Sequence, residues 1–220
     1  MVLAVITLLH VLVFVYWLGG DLGAFYASTI LTDKKQPVPV RATAAKVLEN
    51  IDMSPRTALI LTLPTGLTLA LAKGWIVAPG AHAALAAVWI IALAWLAIAW
   101  KIHLSHPPAG SPVRRIDLAI RAILILALIG AAVIGGVGSI EFPLFIRLKF
   151  AVLATAIAAG LMIRRVLAPF GPAFVQMVTT GATPETDAAI SLALAKGRPV
   201  VLGLWALLLI AALLGLATPL

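Results

Sequence analysis

The stretch Val2–Leu31, VLAVITLLHVLVFVYWLGGDLGAFYASTIL, decides the fold. It carries one histidine, His10, and one carboxylate, Asp21, in an otherwise uncharged, strongly apolar run. About 20 apolar residues of helix cross a bilayer core about 30 Å thick. The stretch therefore reads as a membrane span that either tilts or protrudes. It lacks a basic leader and is too long for a signal peptide, so it is expected to be retained. Five further apolar segments follow: Ser54–Ala72, Ala81–Leu104, Val113–Gly138, Pro143–Leu167 and Pro199–Ala217. The fold class expected is an all-α polytopic bundle of about six transmembrane helices, with residues 1–220 forming one integral membrane domain.

Composition agrees. Of 220 residues, 63% are hydrophobic and 11% charged, a balance that would leave a soluble globule with a largely apolar surface. The net charge of +8 reads as membrane topology, because the basic residues cluster in short connections and no base-reading motif accompanies them. The bilayer is thus the first partner expected, and nucleic acid is not one. The absence of cysteine excludes disulfides, thiolate ligands and iron-sulfur clusters, leaving His, Met or carboxylate for any metal.

Between the spans, Arg41–Ile51 is expected as a short helix at the membrane surface, and Ser54–Pro55 as the N-cap and first residue of the second span. Pro64 is expected to bend that span. Thr183 before Pro184, with Glu185 and Asp187 behind it, predicts a capped helix over Pro184–Lys196. The small-residue run GAAVIGGVG, 130–138, permits close approach of a helix or a flat cofactor. Twelve of the sixteen Lys and Arg residues fall in alternate connections. The positive-inside rule makes that side cytoplasmic and both termini extracytoplasmic.

An ionisable residue at membrane depth is a functional candidate by default. Counting back from Leu31 at about 1.5 Å per residue sets Asp21 about 15 Å into the membrane. Arg121 lies at a matching depth, so the two are expected to form a buried ion pair. His10 and His82 are the candidate metal ligands, because two neutral imidazoles on facing helices are what a low-spin haem b needs. Arg147 and Lys149 either snorkel to the interface or clamp an anionic group such as a haem propionate beside His10. His103 and His106 flank a connection. Methionines are too sparse for a typical copper conduit.

Three stretches carry a resemblance. LHVLVFVYWLGG (9–20), SPRTALILTLPTGLTLALAKGW (54–75) and RLKFAVLATAIAAGLMIRR (147–165) resemble helices of a group of inner-membrane proteins. That group includes the HemJ-type protoporphyrinogen oxidases and the copper-resistance protein D family. The resemblance implies a haem-binding histidine at His10 and a functional lysine at Lys149. It also implies a bacterial inner (plasma) membrane location. Three functions follow as expectations. The first is a haem-b-associated redox protein, possessing a membrane oxidoreductase activity on a tetrapyrrole or passing electrons to a quinone. The second is a copper or cation permease of the copper-resistance D type. The third is a non-catalytic subunit or assembly factor with a membrane protein partner. No residue is assigned a catalytic role from sequence.

Overall fold

The computed structural model describes residues 1–136 and 141–217. Among them are eight helices: α1 (Val2–Thr32), α2 (Val38–Ile51), α3 (Met53–Ala72), α4 (Ala81–Ser105), α5 (Pro112–Ile134), α6 (Leu144–Val166), α7 (Phe170–Thr180) and α8 (Pro184–Leu216). Six helical segments are long and apolar enough to cross a membrane: α1, α2 with α3 as one 35-residue run, α4, α5, α6 and α8. They pack in chain order, α1 on α3, α3 on α4, α4 on α5, α5 on α6 and α6 on α8, and α8 returns to α1 to close a ring. Large apolar residues such as Ile90, Leu126 and Val133 lie exposed on the outside, as expected where the surrounding solvent is lipid. The interior is filled by Trp17, Ile60, Trp95, Leu128, Phe150 and Ile157.

The ring has a long half and a short half. At 1.5 Å per residue, α1, α2–α3 and α8 are roughly 45–55 Å long, whereas α4, α5 and α6 are roughly 35–38 Å. Two contacts mark where the short helices end. His106, just past α4, meets Glu49 at 2.7 Å, and Leu167, just past α6, packs against Gly197 of α8. Beyond that level the C-terminal part of α1, most of α2, all of α7 and the first turns of α8 form a four-helix head. It has its own core of Leu31, Ala44, Ala173, Met177, Ile190 and Leu194, where each fully buried large side chain contributes about 1.5–3 kcal/mol if the head stands in water.

Several local expectations change. The segment containing α2 does not lie flat on a membrane. Asp52 keeps helical backbone (φ −60°, ψ −16°), so α2 runs on into α3 and packs along α1. Ser54 therefore caps nothing, and its hydroxyl donates to the Tyr16 carbonyl at 2.8 Å. The expected break before Pro199 is also absent, since α8 is continuous through it. Proline there withdraws one amide from the ladder, at the level where α8 passes from head to bundle. The start of α8 matches expectation: Thr183 and Thr186 form a reciprocal capping box. Nearby, just past the end of α1, the Asp33 carboxylate accepts from the Lys35 amide and the Gln36 side chain, which hold it below the usual carboxylate range. Of the 130–138 run, residues 137 and 138 lie outside the described residues. Gly135 and Gly136 make room for Phe142 and the Arg147 guanidinium, so these glycines admit the returning chain.

Candidate functional site

His10 is held on α1 by α3. Its Nδ1 lies 2.9 Å from Thr65 Oγ1, and the Thr65 hydroxyl donates to the Leu61 carbonyl at 2.6 Å. A hydroxyl has one proton to give. With that proton on Leu61, Thr65 accepts from Nδ1–H, which leaves the Nε2 lone pair of a neutral ring free. Gly66 makes the fit possible, because a Cβ there would stand 3.1 Å from His10 Cε1. The Lys149 ammonium of α6 lies within electrostatic reach of the ring and rests against Gly215 of α8. His10, Thr65 and Lys149 thus form a polar layer toward the end of the bundle away from the head.

The other candidates are placed differently. His82 is exposed at the start of α4, whereas the His10 ring is turned onto Thr65 and Gly66 of α3. Arg147 donates from Nε to the Ala132 carbonyl at 2.8 Å and from Nη2 to the Val133 carbonyl at 3.3 Å. It closes the C-terminal end of α5, where cations and unpaired carbonyls attract. Among the described residues no group of three or more His, Cys, Asp or Glu side chains is placed to hold a metal ion.

The expected Asp21–Arg121 pair is not formed. The neighbours of Asp21 in sequence, Gly20 and Gly23, pack on Ser54, Pro55 and Ile51, which sets Asp21 at the α2–α3 junction near the base of the head. Its Oδ2 is buried with no hydrogen-bond partner among the described residues. The pair fails because α1 packs on α2, α3 and α8, whereas α5 packs on α4 and α6. Arg121 pairs instead with Asp117, one turn earlier on α5.

Sequence reading missed that second polar layer. Asp117, 1% exposed, accepts from Trp95 Nε1 at 2.8 Å, Arg121 Nε at 3.1 Å and Arg164 Nη1 at 2.7 Å. The Arg121 guanidinium also lies over the Trp95 ring, 5.2 Å from its centroid, in cation–π contact. One signal was present: Asp117 and Arg121 stand four apart in an apolar helical run, a spacing at which opposite charges meet on one face. Between this layer and that of His10 lies the packed apolar core.

A separate apolar groove of about 670 Å3 runs between α1 and α4 over α3, lined by Leu12, Tyr16, Thr57, Leu61, Trp89 and Trp100 among others. His10 is not among its lining residues. Comparison of the chain with protein-family models, curated proteins and solved structures gives no match.

Proposed function

We propose that this chain is an inner-membrane redox protein whose working centre is His10, acting on a tetrapyrrole or exchanging electrons with a quinone. The observation that carries the reading is the Leu61–Thr65–His10 chain of hydrogen bonds, which puts the ring proton on Nδ1 and so, in a neutral imidazole, leaves Nε2 free inside a membrane bundle. A second-shell hydrogen bond on one ring nitrogen is how proteins orient an imidazole for ligation by the other. His10 would offer Nε2 as a single protein ligand to a haem b, and Lys149 a cation to a propionate. The residues do not fit a bis-histidine haem shared with His82, and Arg147 is engaged elsewhere. Bound haem would supply one-electron chemistry. The chain's own residues set the ring tautomer through Thr65, keep water out through the apolar core, and present a cation to an anionic group through Lys149. A copper or cation path is supported less well, because packed apolar side chains separate the two polar layers.

By the positive-inside rule the head faces the cytoplasm of a bacterial-type cell and both termini lie outside. Reporter fusions at Leu220 and within residues 105–112 test this orientation, and the opposite sidedness at either site overturns it. The functional test is an absorption spectrum of the protein purified from haem-replete membranes. A Soret band is expected in the wild type and its loss in His10→Ala, with helical content retained. A colourless wild type, or a band unchanged by the substitution, removes this reading in favour of a non-catalytic subunit.

A further inference from the structure

We propose that Arg121 and Arg164 form a binding site for a phosphate-type oxyanion at the head-side end of the bundle. Asp117 is one carboxylate facing two guanidiniums, so the cluster carries a surplus positive charge. Arg56 is within electrostatic reach of Arg121 but is already matched by Asp52. Arg121, 3% exposed, is matched by Asp117, so the surplus charge falls on Arg164 at the rim.

The donors tell the same story. Arg121 gives Nε to Asp117 and a face to Trp95, while its Nη1 and Nη2 donate to nothing among the described residues. Arg164 gives only Nη1 to Asp117, and its side chain is 36% exposed at the rim of the ring. Asp117 therefore acts as a spacer, holding two forks together with several N–H groups unspent. Planar guanidinium forks bind carboxylates and phosphates by paired hydrogen bonds. A tetrahedral oxyanion offers enough acceptors for both forks and cancels the surplus charge. Lys101, Arg114 and Arg115, at the end of α4 and the start of α5, put further positive potential at the same end. The phosphate group can come from dissolved phosphate or from an anionic lipid headgroup. The site is independent of the His10 centre and stands whether or not haem is bound.

The test uses the full chain in dodecyl maltoside and Tris chloride, which contain no phosphate or carboxylate. Thermal unfolding is followed while inorganic phosphate, or in a second arm phosphatidylglycerol, is titrated in. A saturable rise in Tm is expected in at least one arm. Phosphate alone sufficing identifies a soluble ligand, and a response confined to phosphatidylglycerol identifies a lipid headgroup. Either midpoint should weaken about tenfold or more in Arg164→Gln, the scale of a lost charge-assisted hydrogen bond. Arg121→Lys, which keeps the charge and loses the fork, should weaken it similarly. No saturable shift in either arm overturns the proposal, as does a shift that persists unchanged in both variants.

Discussion

Two buried Arg–Asp assemblies stabilise this molecule, and they are built on opposite principles. In the head, Arg41 of α2 is matched in charge. Its Nη1 meets Asp187 of α8 at 2.7 Å and its Nε caps the Leu31 carbonyl at 2.9 Å, so one cation, one anion and one helix end are satisfied together. In the bundle, Asp117 is shared by two arginines and an indole, and the cations outnumber the anion. The first assembly is a closed lock between α1, α2 and α8. The second joins α4, α5 and α6 with one cation in excess. Burial alone does not separate them, since Arg41 and Asp117 are each 1% exposed. Stoichiometry does.

The largest effect that sharpens this contrast is expected from Asp117→Asn. It strands the buried Arg121 guanidinium and removes the charge that binds Arg164, so about 3–5 kcal/mol should be lost, the usual result of breaking a buried pair on one side. Thermal unfolding in detergent measures it, and a change below about 1 kcal/mol would mean that the cluster does not hold the short half of the ring. Arg41→Ala comes next, at about 3 kcal/mol, since it leaves Asp187 and the Leu31 carbonyl without partners. The double replacement Arg41→Met with Asp187→Leu should recover most of that loss, as apolar substitutes for a closed pair often do. A double variant as unstable as the single one would break the comparison, because Arg41 would then be doing more than matching Asp187.

How much of this was legible in the sequence follows from which signals are local. Span count rests on apolar length, and α8 announced its start because Thr183, Pro184, Glu185 and Asp187 sit together in the chain. Position around the ring was not legible. Asp21 and Arg121 were matched in depth by counting from Leu31 and Arg114, but α1 packs on α2, α3 and α8 and α5 on α4 and α6. Partner choice was half legible: the Asp117–Arg121 spacing was on the page, but Arg164, 47 positions away, required the packing of α5 on α6. The His10–Thr65 contact spans 55 positions and has no local signature at all.

That contact supplies a smaller prediction. Thr65→Val keeps the shape of the side chain and removes the acceptor for His10 Nδ1–H, so stability should fall by about 1 kcal/mol. Nitrogen chemical shifts of labelled His10 should show a single Nδ1–H tautomer in the wild type and a mixed or reversed one in Thr65→Val. An Nε2–H ring in the wild type would reverse the assignment of donor and acceptor and withdraw the free lone pair.

The smallest effect is expected from Arg164→Gln, and its smallness is the informative part. Arg164 makes the shortest contact to Asp117, 2.7 Å, which read alone would rank it above Arg121. Yet its side chain is 36% exposed, so solvent screens the pair, and an ion pair in that setting contributes about 0–1 kcal/mol. Asp117 also keeps two donors when Arg164 is gone, Trp95 Nε1 and Arg121 Nε, so no buried carboxylate is stranded. Removing one of two cations brings the cluster to charge balance, which offsets part of the loss. The expected shift in unfolding free energy is therefore within about 1 kcal/mol, measured in phosphate-free detergent. A loss near that of Asp117→Asn would make Arg164 an essential part of the lock and erase the distinction between a closed assembly and one with a cation in excess.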